Sequence, residues 1–414
     1  ELARRRPLLL VIDDLHWADP SSLELLEDLM TLVDRASLLL ICLFRPESDR
    51  RSWRIRETAA RQYPHRHTDV WLRPLSAGAS ETLLANLLGE KGLLSGLAVE
   101  VPENLRARIL RCAEGNPFYV EEIIRSLIDD GTFERDGATG RWVTTERAMD
   151  IRVPDTLRGV LLSRIDRLPE GPRRVVQMAS VIGRVFPLSL LTALADATAA
   201  DGVYQRLDEH LVTLQREEMI RERARFPEPE FIFKHELTRE AAYGGLLNKD
   251  RQALHRRVAL ALEQLFADRI EEQVELLAHH WQQAGEADVA VDYLVQAGER
   301  ARRLGASLEA VDLYRLALDT AAQSGVAEPD DARLPRVHEQ LGDVYLEHLS
   351  LHPEALHHYA VFLELATSDE ASARAERKIA TVHLLRGDLP EARVHYEAAL
   401  ARLRPEAPAV ADRW

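Results

Sequence analysis

The run Leu8-Leu-Leu-Val-Ile-Asp-Asp14 constrains this chain more than any other stretch. A continuous apolar run ending in two acids suits a strand buried on both faces of a parallel sheet. Such a strand presents its two carboxylates at the C-terminal edge of the sheet, where open α/β sheets bind ligands. Taken alone, the pattern serves two readings equally. The acids hold a hydrated cation and a water beside a phosphoryl group, or they only cap the turn that follows the strand.

Around this run, residues 7–76 alternate short β-rich pieces with helical ones, the pattern of a parallel α/β sheet. Asp19-Pro20 reads as an N-cap followed by Pro at the first helical position, and Ser21 with Glu24 fits a capping box. That helix is expected to reach about Asp34, with Leu23, Leu26, Leu29, Met30 and Val33 on one face. A second buried strand is expected over Leu38–Phe44 and a third over Asp69–Leu72. Arg45 follows the second strand, either as a side chain that senses a γ-phosphate or as a solvated loop arginine.

From Ser76 to Gly131 the apolar period is helical. Residues 132–153 then read as a small hairpin linker that turns at Gly137-Ala-Thr-Gly140. Over 154–247 the pattern gives three amphipathic helices closed by a short strand, Glu230-Phe-Ile-Phe-Lys234, which suggests a winged-helix domain. Everything beyond about 250 is helical, with turns expected at Gly285, Gly305, Pro353 and Gly387. Here Leu341-Gly342-x-x-Tyr345 matches the first-helix element of a tetratricopeptide repeat (TPR). Second-helix patterns recur at Ala310, Tyr314 and Ala317, at Ala355 and Tyr359, and at Ala392, Tyr396 and Ala399. Glu328-Pro-Asp-Asp331 is expected to be a loop that absorbs the excess over the ideal period.

The reading so far is of a partial α/β core followed by all-α and winged-helix parts. Its domains are the α/β core over 1–76, a helical part over 77–131 and the hairpin over 132–153. The winged helix follows over 154–247, a helical connector over 248–284 and TPR-like repeats over 285–414. Composition supports a globular protein of several domains, with 46% hydrophobic and 29% charged residues. A net charge of −15 argues against gripping nucleic acid or an acidic membrane through bulk electrostatics. With no apolar run of membrane-spanning length and no signal peptide, the expected location is the cytoplasm, with Cys42 and Cys112 as reduced, buried thiols. The first residue is Glu1 and the last is Trp414, and both ends read as cuts.

Asp13-Asp-Leu-His-Trp-Ala-Asp-Pro-Ser-Ser-Leu23 resembles the Walker B block of the STAND ATPases, the signal-transduction branch of the AAA+ superfamily. The resemblance is to bacterial ATPase–TPR modules fused to class III adenylate/guanylate cyclases, protein kinases or LuxR-type regulators. Three further blocks agree in order. Glu114-Gly-Asn-Pro-Phe-Tyr-Val-Glu-Glu-Ile123 is similar to the family's lid block. Val153-Pro-Asp-Thr-Leu157 and Arg164-Ile-Asp-Arg-Leu168 are similar to the start of its winged helix, and Phe233-Lys-His-Glu-Leu-Thr-Arg-Glu-Ala-Ala-Tyr243 to the end of that domain.

By that resemblance residues 1–76 would be the C-terminal part of a P-loop nucleotide-binding core and 77–131 its helical lid; Asp13 would hold Mg2+, through water, and Asp14 would orient the attacking water. Arg45 would be the sensor beside the γ-phosphate, Pro117 would pack on the adenine, and His235 would reach the phosphates of bound ADP. The cofactors implied are ATP or ADP with Mg2+. The partners implied are a protein or small-molecule inducer at the repeats and a fused or associated effector, a nucleotide cyclase, kinase or helix-turn-helix domain. A nucleotide-dependent oligomer is among the outcomes the resemblance allows. Independently of the family, Asn116-Pro117 also fits a helix N-cap with Pro at the first position, and His235 also fits a core histidine donating to a carbonyl.

No G-x-x-x-x-G-K-S/T motif occurs in the 414 residues. Without that loop and its lysine, this chain by itself is expected to bind ATP weakly or not at all and to leave an apolar face of the core open. Two other functions remain in play: a non-hydrolysing TPR scaffold, and a LuxR-type activator whose DNA-binding domain lies beyond residue 414. The pairs His65/His67, His279/His280 and His357/His358 lack partners at metal-ligand spacing, and Glu121-Glu122 and Asp129-Asp130 read as solvated helix faces.

Overall fold

A computed structural model describes residues 3, 6–46, 51–88, 102–135, 142–145, 156–196, 206–324 and 333–403. Two compact units emerge, Val70–Leu265 on one side and Glu1–Asp69 with Phe266–Trp414 on the other. The boundary at Leu265 falls inside the segment read as a connector, so that its first helix joins the middle unit.

In the discontinuous unit, β1 (Leu8–Ile12) and β2 (Leu38–Cys42) pair in parallel, with Leu8 opposite Leu38 and Ile12 opposite Cys42. The crossover is α1 (Pro20–Met30), and α2 (Arg51–Gln62) follows β2. Alternation along each strand sends one set of side chains to these helices. Ile12, Leu40, Cys42 and Phe44 pack against Leu15, Leu23, Leu26, Met30 and Ile55. The other set stays exposed, with Leu9 at 56%, Val11 at 53% and Leu39 at 59%. Burial on both faces is therefore corrected to burial on one. A two-stranded sheet with helices on one side has nothing over its second face among the described residues, and the apolar face is open, as the missing loop strand implied.

Other details of this segment also differ from the sequence reading. Residues 69–72 form no strand; they are coil, with Val70 at 78% and Leu72 at 89% exposure, because no neighbouring strand among the described residues offers a ladder. Helix α1 stops at Met30, four residues short of the expected Asp34, and the chain runs on in turns to Arg35. Its cap is Asp19, whose Oδ1 accepts from the Ser22 amide at 2.8 Å while Ser22 Oγ donates to Oδ2 at 2.6 Å. Ser21 takes no part in a box with Glu24; its Oγ donates to Glu309 Oε2 at 2.8 Å, within the same unit.

The middle unit opens with α3 (Ala77–Leu88), α4 (Glu103–Ala113) and α5 (Pro117–Asp129). Leu84, Leu105, Ile109, Val120, Ile123, Ile124 and Leu127 form one core that extends to Phe133 and Val160. β3 (Phe133–Arg135) and β4 (Trp142–Thr144) make the expected hairpin, with Phe133 opposite Thr144; its turn at 137–140 lies outside the described residues. Next come α6 (Leu157–Arg167), α7 (Glu170–Ile182), β5 (Val185–Pro187), α8 (Leu188–Asp196), α9 (Leu207–Arg216), β6 (Ile220–Ala224) and β7 (Glu230–Phe233).

Four helices, not three, precede β6 and β7 among the described residues, because Val185–Pro187 leaves the helical path to pair antiparallel with β7. The sheet runs β5-β7-β6, and Phe186, Phe231 and Phe233 stack across it with centroids 5.7–5.9 Å apart. α10 (Glu236–Gly244) and α11 (Asn248–Leu265) complete the unit.

The remaining helices return to the first unit: α12 (Val274–Ala284), α13 (Ala287–Arg303), α14 (Ser307–Ser324), α15 (Arg333–Asp343), α16 (His352–Leu365), α17 (Asp369–Leu385) and α18 (Leu389–Leu403). Gly285, Gly305 and Gly387 turn the chain after helices with φ of 82°, 80° and 81°. Pro353 is instead inside the first turn of α16, and the reversal before it uses Ser350 at φ 54°. The loop expected at 328–331 lies outside the described residues.

Tyr314 and Tyr359 are fully buried, each beside a glycine of the preceding helix. A Cβ on Gly298 would lie 2.5 Å from the Tyr314 ring, and one on Gly342 would lie 2.3 Å from the Tyr359 ring. Each glycine lets its neighbour's aromatic ring seat against the backbone, which brings the paired helices close. Both cysteines are half-buried thiols outside any disulfide, rather than buried ones.

Candidate functional site

The strand ends expected to carry chemistry lie side by side. Beyond the last register pair, the Leu43 amide donates to the Ile12 carbonyl and the Leu15 amide to the Leu43 carbonyl, both at 2.9 Å. Asp13-Asp14 is thereby held next to Leu43-Phe44-Arg45 at the C-terminal edge of the parallel pair. The Asp13 carboxylate is exposed, and its Oδ1 accepts from the Asp14 amide at 3.0 Å. Asp14 turns the chain in the left-handed region at φ 56°, a conformation Asp tolerates better than most residues. The Arg45 side chain is exposed on the adjoining loop. Oxygen donors with open access suit a hard cation that keeps part of its water shell.

Pro117 and His235 belong to the middle unit. Glu114 and Gly115 both adopt positive φ, 48° and 78°, and the Leu75 amide donates to the Gly115 carbonyl at 2.8 Å. A Cβ on Gly115 would stand 2.5 Å from the Leu75 carbonyl oxygen, so this turn requires glycine. It delivers Asn116 as the cap of α5, with its Oδ1 accepting from Phe118 N at 3.1 Å and Tyr119 N at 3.4 Å. Pro117 stands at the first position of that helix with its ring exposed.

The next residue, Phe118, brings this turn to His235: the two ring centroids are 3.9 Å apart. His235 lies two residues past β7 and is the N-cap of α10, with an extended backbone, and its Nε2 is buried with no hydrogen-bond partner. The alternative of a core histidine donating to a carbonyl is not realised at Nε2. Burial, then the charges of Lys234, Arg221 and Arg125, hold the imidazole below its ordinary value, with Glu121 opposing. A neutral ring with an orphaned buried nitrogen is available to a polar ligand atom.

The acid pairs read as solvated faces are corrected most sharply. Glu122 is 5% exposed and meets Arg164 Nη1 at 2.6 Å, because α6 crosses α5 at that turn. Arg164, 4% exposed, also reaches Asp129 Oδ2 at 3.1 Å and donates from Nη2 to the Glu217 carbonyl at 2.9 Å. Beside it, Arg125 joins Glu121 and Glu218 at 2.8 Å each, and Lys234 pairs with Glu218 as well. Burial pushes the Glu122 carboxyl up while the Arg164 charge pulls it back. Sequence reasoning recognised Arg164 only as part of a block; its signal was a run of arginines on one amphipathic helix opposite two acid pairs on another. Among the histidine pairs, His358 faces His338 (Nδ1 to Nδ1, 3.0 Å), a partner twenty residues away.

A family model described as an AAA ATPase domain matches residues 1–41, which contain the Asp13-Asp14 edge. An uncharacterized protein of Rhizobium meliloti is 28% identical over 335 residues, 80% of this chain, and the chain spans 30% of that relative's length. Among solved structures, the chain is similar to a Signal Transduction ATPase with Numerous Domains (STAND) protein with a tetratricopeptide repeat sensor from Pyrococcus horikoshii. That likeness has a TM-score of 0.33 and 12% identity over 96% of this chain and 68% of that one. A likeness to MamA has a TM-score of 0.24 and 15% identity over 37% of this chain and 91% of that one. The residues that match an AAA ATPase domain model thus precede a mostly helical remainder. Among the described residues no helix is long and apolar enough to cross a membrane.

Proposed function

We propose that this chain is part of a nucleotide-operated signalling switch of the STAND kind, acting in the cytoplasm. The observation that supports it best is the Asp13-Asp14 edge, held beside the Arg45 loop within the segment that matches an AAA ATPase domain. On this reading Asp13 holds Mg2+ through water, and the metal supplies charge neutralisation for the phosphates. Asp14 orients the water that attacks the γ-phosphorus in line, Arg45 senses the phosphate, Pro117 packs on adenine and His235 accepts or donates at the ADP phosphates. The middle unit from α6 to α10 is read as the winged helix, a structural and nucleotide-sensing part rather than a DNA reader. The helices from Ala287 onward are read as the TPR-like sensor for a protein or small-molecule inducer, and the effector (a cyclase, kinase or helix-turn-helix domain) lies outside these residues.

The phosphate loop such a site requires is absent from the 414 residues. The test is to read the parent gene for about one domain upstream and measure Mg-ATP binding by the parent by calorimetry. A G-x-x-x-x-G-K-S/T loop followed by a strand, with binding lost on replacing its lysine, supports the switch. A parent that lacks the loop and binds no nucleotide rules it out in favour of a repeat scaffold. The repeats give that second reading its own support, since their glycine–tyrosine seats are built without reference to the acidic edge.

A further inference from the structure

Resting on the reading of His235 as a ligand-facing group, we infer that Arg164 is its positioning residue: one buried guanidinium ties the helix that carries Phe118 to the turn that carries Glu218, and so sets the Phe118–His235 contact. Arg164 touches neither ring. Its Nη1 grips Glu122, one helical turn along α5 from Phe118, at 2.6 Å, and its Nε grips Asp129 near the end of the same helix at 3.1 Å. Its Nη2 takes the carbonyl of Glu217, at 2.9 Å, in the turn between α9 and β6. The next residue, Glu218, holds φ at 55° and takes both Arg125 of α5 and Lys234, the residue before His235.

A planar fork with five donors can serve three acceptors on two elements at fixed angles; an ammonium on a flexible stem cannot. Both sides of the His235 ring are therefore registered by one side chain. Around the ring lie Phe118, Glu121 and Arg125 of α5, Arg221 of β6 and Lys234 beside it, and the ring stays neutral while Phe118 covers it. Losing the cover would let water reach the imidazole and raise its titration toward the ordinary value of 6.5.

The test needs no nucleotide, so it stands or fails apart from the ATPase reading. Histidine ring protons of the 414-residue chain are followed by NMR against pH, with His235 assigned through His235→Gln. Arg164→Lys keeps the charge and loses the fork; Val160→Ala, in the core beside it, is the control for general loosening. Glu122→Gln is the second variant should Arg164→Lys not fold. The expected result is that Arg164→Lys or Glu122→Gln collapses the ring-current shift from Phe118 and raises the His235 midpoint toward 6.5. Val160→Ala is expected to lower the melting temperature and leave both signals in place. Folded Arg164→Lys and Glu122→Gln with wild-type shift and midpoint overturn the inference. So does Val160→Ala moving the His235 signals as far as they do.

Discussion

Adding one methyl group at Gly342 tests how the repeats are built. In Gly342→Ala the new Cβ would lie 2.3, 2.6 and 2.8 Å from three atoms of the Tyr359 ring. That ring cannot swing clear, because it is 1% exposed and its hydroxyl donates to Asp343 Oδ1 at 2.7 Å, with Lys378 on the same carboxylate. Overpacking of this kind costs about 1–3 kcal/mol, and loosening the Tyr359–Asp343 bond adds about 1 kcal/mol. Gly342 lies on a helical path that continues through the π-helical turn Val344–His348, so alanine there returns about 1 kcal/mol of helix propensity, and the net loss is roughly 1–3 kcal/mol.

Because units of a multidomain chain open separately, native-state hydrogen exchange is the suitable assay. Amides of α15 and α16 should exchange about 30-fold faster for a loss of roughly 2 kcal/mol. Gly342→Ala combined with Tyr359→Leu should recover part of that loss. Slower exchange in the single variant would mean that propensity outweighs the clash, and the seat of Tyr359 against the backbone would not be what sets helix spacing.

Gly115→Ala should be worse tolerated than a surface change. Its φ of 78° and the Leu75 carbonyl 2.5 Å from the new Cβ are both backbone constraints. A loss of about 1–3 kcal/mol, read as lower thermal stability and faster exchange in α5, is expected. Asp19→Ala should cost about 1 kcal/mol by uncapping α1, seen as fraying of its first turn in exchange.

The repeats should weaken in mild acid. Burial, then His338, His357 and Arg315, lower His358 from 6.5 to about 4, so the folded pair refuses a proton that the unfolded chain accepts below 6.5. Stability is therefore full above about pH 6.5 and declines as pH falls toward 4. Discounted for a half-exposed ring, the loss is on the order of 1–2 kcal/mol. Exchange in α15 and α16 between pH 7 and 4 measures it, and His358→Asn should flatten the slope.

What could be read from sequence follows from how local each signal is. Asp19-Pro20 and Asn116-Pro117 announced their caps because capping is settled within three residues. Leu341-Gly342 and the Ala-Tyr spacings marked positions where the same packing problem recurs, with Tyr314 and Tyr359 each seated against a glycine of the preceding helix. The strand expected at 69–72 failed because β-rich composition forms a strand only where a neighbour supplies hydrogen bonds. Leu8–Ile12 looked buried on both faces because hydrophobicity records what a strand is suited to, while exposure depends on what lies over it. Glu122 was misread for the same reason, since its partner Arg164 is forty-two residues away. His235 was found only through resemblance. Its contact with Phe118 joins residues 117 positions apart, which no periodicity encodes.

The central claim is that Asp13 and Asp14 form the acidic edge of a nucleotide-hydrolysing site, and single-turnover hydrolysis of ATP by the longer parent protein tests it most directly. With Asp14→Asn, hydrolysis should fall at least about 100-fold while Mg-ATP binding persists, as expected of a group that acts on the attacking water. Hydrolysis at the wild-type rate in Asp14→Asn, with binding intact, would contradict the assignment and leave the two acids as the cap of a turn.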